Sequence, residues 1–291
     1  MPEPTSRATL VTGCSSGIGR AIANRIAGEG WPVYASARDP DAIQDLTAAG
    51  CTIVALDAND SVARAAVVSM IEGRHGAVGA LINNAGYGQQ GPFEETPLAA
   101  FREQFETNVF SAVGLCQLVL PAMRRQHWGR IVNISSMGGR LTFPGGAAYH
   151  GSKYALEAIS DVLRFEVERF GVDVVLVEPG PTSTSFGAAS LRSLDALEPT
   201  SDRAYDEFRT GIRRALESTF ERSAKEGASR PEEVAEAVWT GLTSDTPEPR
   251  VVVGKTAEEL IALKERGTAR EWDRVVAGMY PQPRPSPEEP S

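Results

Sequence analysis

The chain has 291 residues, 42% of them hydrophobic and 23% charged, with a formal net charge of -9 and a pI near 5.1. Such a length can bury the core of one large α/β domain or two small ones, and the acidic balance argues against a nucleic-acid or anionic-membrane surface. No run of about 18 uninterrupted apolar residues offers a membrane span, and the opening Met1-Pro2-Glu3-Pro4-Thr5-Ser6-Arg7 lacks the basic and apolar regions of a signal peptide. Cys14, Cys51 and Cys116, with His75, His127 and His150, form neither a disulfide framework nor a metal-ligand spacing, so a reducing, cytoplasmic setting is the expectation.

In chain order, residues 1–6 read as a short flexible tail. Arg7 to Val11 is an apolar strand running into the glycine turn Thr12-Gly13-Cys14-Ser15-Ser16-Gly17-Ile18-Gly19. Gly17 to Gly30 carries Ile18, Ala21, Ile22 and Ile26 at helical spacing. A strand follows at Pro32 to Ala37, a helix start at Asp39-Pro40-Asp41, a third strand at Cys51 to Leu56 and a third helix at Ser61 to Arg74. Val78 to Ile82 is a fourth strand that stops at Asn83-Asn84-Ala85-Gly86, and after Thr96-Pro97 one long amphipathic helix spans Leu98 to Arg125. Gly129 to Ile134 is a fifth strand, Tyr149 to Phe170 a long helix, and Val172 to Val177 a sixth strand ending at Pro179-Gly180. Over residues 181–230 the pattern loosens, with weak helical periodicity from Tyr205 to Phe220. Pro231-Glu232-Glu233 starts a helix ending near Leu242, Arg250 to Val253 gives a last strand, a helix begins at Ala257, and 271–291 is expected to be a flexible tail.

Strands alternating with helices imply an α/β fold: a doubly wound parallel sheet of Rossmann type with seven strands and right-handed crossovers, in a single domain over residues 7–270 with a C-terminal extension. Ligands on such sheets bind beyond the carboxyl ends of the strands. The glycine turn, Asn83-Asn84, Ser136 and Pro179-Gly180 all fall on that edge.

Gly13-x-x-x-Gly17-x-Gly19 follows a strand and opens a helix, where glycines permit a tight turn and let a pyrophosphate meet backbone N–H groups at a helix N-terminus. About twenty residues onward, where an acidic residue would hold a ribose 2′-hydroxyl, the sequence reads Ala35-Ser36-Ala37-Arg38. A guanidinium matches a 2′-phosphate, so NADP(H) is expected in preference to NAD(H), against the plainer reading of an exposed arginine beside Asp39. Tyr149 and Lys153 are one helical turn apart and share a face. A cation held near a phenol lowers its pKa from ~10 toward working pH, and Ser136 lies upstream on the same sheet edge.

With these signatures the chain closely resembles the short-chain dehydrogenase/reductase family. Thr12-Gly13-x-x-x-Gly17-Ile18-Gly19, Asn83-Asn84-Ala85-Gly86, Ser136, Tyr149-x-x-x-Lys153 and Pro179-Gly180-x-x-x-Thr184 carry the resemblance, over residues 7 to 185. It implies a catalytic tetrad at Asn108, Ser136, Tyr149 and Lys153. It also implies dinucleotide contacts from Gly13, Ser15, Ser16, Gly17, Ile18, Gly19, Asn84, Ala85, Gly86, Pro179, Gly180, Thr182 and Thr184, with Asp57 beside the adenine. By that likeness Tyr149 is the acid/base of a carbonyl–alcohol interconversion, Ser136 holds the substrate oxygen, Lys153 bonds the nicotinamide ribose, and Asn108 orders a water that relays protons through Lys153.

The expected substrate pocket is apolar, lined by Met137, Leu141, Phe143, Tyr87, Phe93 and Phe186, with Arg140 either solvated or holding an anionic group. Residues 185–225 are expected to form a mobile lid over a hydrophobic ketone, aldehyde or alcohol, such as a steroid-like, retinoid-like or aliphatic compound. Cys14 is read as a small turn-filling residue rather than a redox switch, and His150 as a packing or pocket-edge residue. The two long helices carry surplus apolar surface, and in the resembling family such helices build homodimers or homotetramers. The competing function is a non-catalytic dinucleotide sensor of the same fold, which would have no need of a complete tetrad.

Overall fold

A computed structural model describes residues 5–225 and 229–280, so most of both expected tails lies outside the described residues. Seven strands form one parallel sheet in the order β3-β2-β1-β4-β5-β6-β7: β1 Thr9–Val11, β2 Val33–Ala37, β3 Thr52–Ala55, β4 Ala80–Asn83, β5 Gly129–Ile134, β6 Val172–Pro179 and β7 Arg250–Val253. From β1 the chain winds outward to β3, then crosses back to β4 on the other side of β1. That reversal leaves a crevice beyond the ends of β1 and β4.

Both sheet faces are covered, so successive strand residues feed alternate cores. Val11, Ile82, Val132 and Val175 pack on one side against Ile22 and Ile26 of α1 (Gly17–Gly28) and Val234 and Val238 of α8 (Pro231–Thr243). Their neighbours Leu10, Leu81, Ile131 and Val174 pack on the other side against α2 (Ser61–His75) and α4 (Ser111–Arg125). Each fully buried leucine, isoleucine or methionine here, such as Leu115 or Met123, contributes about 1.5–3 kcal/mol relative to exposure.

The expected long helix from Leu98 to Arg125 is present but changes winding part-way. It runs as α3 (Leu98–Phe105), a π turn (Glu106–Phe110) and α4. By composition it is long and apolar enough to cross a membrane, yet Leu115, Val119 and Met123 are buried against the sheet. α5 (Ala147–Val167) crosses behind β5 and β6 and is held by a buried polar ladder. Asn83 Nδ2 donates to Asn133 Oδ1 at 2.8 Å, Asn133 Nδ2 to Ser160 Oγ at 2.8 Å, and Ser160 Oγ to Leu156 O at 2.7 Å. These bonds fix the helix that carries Tyr149 and Lys153.

After β6 come α6 (Phe186–Asp195) and α7 (Asp206–Lys225), packed on each other over the strand ends. α9 (Lys255–Arg266) and α10 (Ala269–Met279) follow β7. The expected tail from residue 271 is therefore corrected for its first half. α10 begins on a capping box, Thr268 Oγ1 accepting from Glu271 N–H and Glu271 answering, and it buries Trp272 against Leu141 and Ile261. At the other end Ser6, expected in a flexible tail, is buried, its Oγ donating to Ala77 O at 2.7 Å.

Candidate active site

The crevice at the switch point is clamped by one threonine and one asparagine. Thr12 Oγ1 accepts from the Asn84 and Ala85 amides, both at 3.0 Å. Asn84 Nδ2 returns donations to Thr12 O at 2.8 Å and Gly13 O at 3.1 Å. Gly17 opens α1 at φ +57, and a Cβ there would stand 2.7 Å from Thr184 Cγ2, so the turn and the segment after β6 approach as closely as glycine permits. Gly19, expected to face the nucleotide, is buried behind the turn instead. A Cβ on it would stand 2.4 Å from both Asn84 Nδ2 and Gly13 O. Gly19→Ala should therefore force the clamp apart, costing about 1–3 kcal/mol, and a lowered Tm together with weakened dinucleotide binding by fluorescence titration would register it.

A cleft of about 740 Å³ follows this edge. Asp57 lies past β3, Arg38 past β2, Gly13, Ser15, Ser16, Gly17 and Ile18 past β1, Asn84, Ala85 and Gly86 past β4, Ser136 past β5, and Pro179, Gly180, Thr182 and Thr184 at and past β6; all line it, with Tyr149 and Lys153 of α5. Six adjacent strand ends at about 4.8 Å each span about 24 Å, room for an extended dinucleotide. Arg38 is exposed and makes no ion pair among the described residues, while the neighbouring Asp39 accepts from the Asp41 amide at 3.1 Å.

Ser136 caps the short turn Met137–Gly139, its Oγ accepting from Gly138 N–H at 2.9 Å, and it hydrogen-bonds the Tyr149 phenol. Lys153 is buried and its Nζ donates to Ile134 O at 2.8 Å. The electrostatics run opposite to the expectation of a lowered phenol. Burial pushes Tyr149 up to about 12, opposed by the Ser136 hydrogen bond. Burial also pulls Lys153 down to about 8, opposed by the nearby charge of Glu157. Desolvation is the largest influence on both groups.

Asn108 sits in the π turn, 3% exposed and behind the cleft rather than in its wall. Its Nδ2 donates to Tyr87 O at 3.0 Å and Ser152 Oγ at 3.1 Å, and its Oδ1 accepts from Tyr87 N–H at 3.2 Å. It thus ties the loop after β4 to α5. His150 is buried and packs at the edge of the cleft, as expected. Its Nε2 accepts from Phe143 N–H at 3.1 Å, which leaves Nδ1–H to donate to Gly138 O at 2.9 Å, and burial lowers its pKa. Cys14 is buried with its thiol pushed up to about 12 by desolvation, which removes the thiolate a redox switch needs.

The sequence model of the family described as short chain dehydrogenase matches residues 7–194. The chain belongs to the short-chain dehydrogenase family. It is 34% identical over 277 residues to the uncharacterized oxidoreductase YbbO of Escherichia coli (strain K12), covering 94% of each chain. A crystal structure of a short-chain dehydrogenase from Streptomyces avermitilis superposes with a TM-score of 0.77 at 34% identity, over 94% of this chain and 98% of that one. A metagenomic short-chain oxidoreductase in complex with NADP gives 0.66 at 27% identity, over 86% and 97%. The chain is accordingly an oxidoreductase of this family.

Of the expected pocket residues of this short-chain dehydrogenase, Tyr87, Met137, Phe143 and Phe186 line the cleft. Leu141 does not; it is fully buried beneath Trp272. Phe93 is 73% exposed and packs on Phe101 outside the cleft. Arg140 does not line the cleft; its guanidinium is partly exposed and paired with Glu178 and Glu265. Residues missed from the sequence also line the cleft, among them Gln89, Gln90, Ile212, Leu216 and Tyr280. Gln89 and Gln90 come two residues after the Asn83–Gly86 stop, and Thr268-x-x-Glu271 is a capping box legible in the sequence, so both signals were there to read.

Proposed function

We propose that the chain is an NADP(H)-dependent oxidoreductase that interconverts a hydrophobic carbonyl compound and its alcohol, with Tyr149 as acid/base. The observation that carries this reading is the meeting, in one cleft, of Ser136, Tyr149 and Lys153 with the glycine turn and the unpaired Arg38. A bound nicotinamide dinucleotide supplies or accepts the hydride. Tyr149 gives its phenolic proton to the carbonyl oxygen in reduction and takes it from the alcohol in reverse. Ser136 holds that oxygen and stabilises its developing charge. Lys153 bonds the nicotinamide ribose, Arg38 pairs with a 2′-phosphate, Asp57 flanks the adenine, and Thr182 and Thr184 position the carboxamide. Asn108 supports the site through Ser152 and the Tyr87 backbone, beside its family role in ordering a relay water.

An uncharged substrate fits the cleft best. Of its charged lining side chains, Arg38, Asp57 and Lys153 stand with the expected nucleotide contacts, and Glu103 of α3 is the one near Tyr87. The remaining wall is built from groups such as Phe143, Phe186, Ile212 and Leu216. α6 and α7 form the lid in this reading, latched to the loop after β4 by Gln90 N–H to Ser193 Oγ at 3.0 Å and by the Arg209–Glu95 ion pair at 2.7 Å. A panel of neutral hydrophobic ketones and aldehydes followed by NADPH absorbance tests the function. Turnover of none, beside tight dinucleotide binding, would favour the sensor reading.

The same proposal includes a homo-oligomer in a reducing, cytoplasmic compartment. Val162 and Phe165 on α5 are 58% and 70% exposed, and Phe110 at the head of α4 is 53% exposed. Phe165→Glu would put a charge on that apolar face and is expected to shift the mass in solution toward the monomer, as light scattering would read.

A further inference from the structure

Glu157 stands on α5 one turn beyond Lys153, the spacing that places two side chains on one helix face. It is 5% exposed and does not line the cleft. Lys153 Nζ is anchored on Ile134 O. The next residue, Ser135, has a buried Oγ with no hydrogen-bond partner among the described residues, and so does Glu157 Oε1. Both border one spot: a Cβ on Gly139 would stand 2.9 Å from Ser135 Oγ and 3.2 Å from Glu157 Oε1. The acid therefore lies against the segment that holds the ammonium.

Its other oxygen is held from the opposite side. Glu157 Oε2 accepts from Arg250 Nε of β7 at 3.0 Å. Arg250 also pairs with Asp161 of α5 at 2.6 Å and with Glu178 of β6 at 3.2 Å. Glu178, 0% exposed, pairs with Arg140 of the loop after β5 at 3.2 Å, and Arg140 with Glu265 of α9. Burial pushes the Glu178 carboxyl above its usual range and the charge of Glu157 adds to that shift. A buried network of this kind is not required for stability, since well-packed hydrophobic residues often serve as well or better. Among the described residues its link to the reactive groups is Glu157, the charge that opposes the effect of burial on Lys153.

We infer that Glu157 is a positioning residue of the Tyr149–Lys153 site: from one turn away it keeps the buried Lys153 side chain charged, while Arg250 and its partners fix where that negative charge sits. This rests on the proposed acid/base reading, but its test does not need turnover. The chain has four lysines, Lys153, Lys225, Lys255 and Lys264, so lysine side-chain NMR resolves each, with Lys153 assigned by its loss in Lys153→Met. Glu157→Gln is expected to lower the Lys153 titration midpoint by about one pH unit, a roughly tenfold loss of ammonium above the midpoint. The upper limb of the kcat/KM pH profile moves down with it, while dinucleotide KM stays within about twofold. Glu157→Asp keeps the charge but draws it back by one methylene and falls between the two. It serves alone if the glutamine variant does not fold. An unchanged Lys153 midpoint in the folded variant, whatever happens to activity, overturns the inference. A shifted midpoint in a protein that turns over no carbonyl counts against the proposed activity alone.

Discussion

Tyr149→Phe is expected to lower turnover by about 10²- to 10⁴-fold while dinucleotide binding stays within about twofold of the parent. The substitution removes one oxygen and keeps the ring. The ring contacts of Tyr149 to Phe186, at 5.5 Å between centroids, and to His150, at 5.6 Å, need no hydroxyl, so the cleft wall survives. What disappears is the proton donor beside Ser136. The loss of one hydrogen bond costs about 1 kcal/mol of stability, too little to unfold the protein, and a thermal melt checks this. The pH dependence of the parent enzyme has a definite sign. Lys153 loses its proton as pH rises through about 8, so any rate that needs the ammonium is present below that pH and declines above it. Retention of more than about a tenth of parent turnover in Tyr149→Phe would remove Tyr149 from the acid/base role, because a missing proton donor costs at least about 10².

The second large effect concerns the choice of nucleotide. Arg38→Asp is expected to raise KM for NADPH by roughly 10- to 150-fold, from the loss of a charge-assisted pair of about 1.5–3 kcal/mol. Repulsion between the new carboxylate and a 2′-phosphate acts in the same direction. The aspartate can instead accept from a ribose 2′-hydroxyl, so KM for NADH should fall. Arg38 is suited to this switch because nothing in the described residues occupies it, the carboxylate of Asp39 being turned to the Asp41 amide. The ratio of kcat/KM for the two nucleotides is the measurement. An unchanged ratio would reduce Arg38 to a solvated side chain at the rim.

Much of the fold was legible because local and global signals agree. Arg250–Val253 is a strand in both readings, and so is Gly129–Ile134, since each is an apolar run bounded by turn formers. Seventeen of the expected catalytic and nucleotide-binding residues were found along one cleft because strand ends can be placed from sequence once the sheet is known to be parallel. Three kinds of error remain, and each has a physical cause. Gly19 and Leu141 lie within two residues of cleft-lining ones yet stand behind its wall, because neighbours on a turn or helix face different ways and sequence distance does not record direction. Arg140 is claimed by Glu178, a partner 38 positions away, which no local pattern encodes. The expected lowering of the Tyr149 pKa counted a charge and omitted desolvation, a property of the packed state alone. α6 went unread because Phe186–Asp195 mixes small and polar residues whose helicity is supported by packing on α7.

The π turn at Glu106–Phe110 sets a constraint on how this sequence can vary. A π turn holds one residue more than the α-helix needs, and one residue is about 100° of rotation. Leu98–Phe105 and Ser111–Arg125 are thus out of phase with each other by about that angle. The first can turn Gln104 toward the loop after β4 while the second turns Leu115 and Val119 to the sheet. Deleting a single residue between Phe105 and Ser111 would restore regular α-helical winding through the turn. It would also swing one half out of alignment, so the deletion most comfortable for the helix is the one this protein can least tolerate.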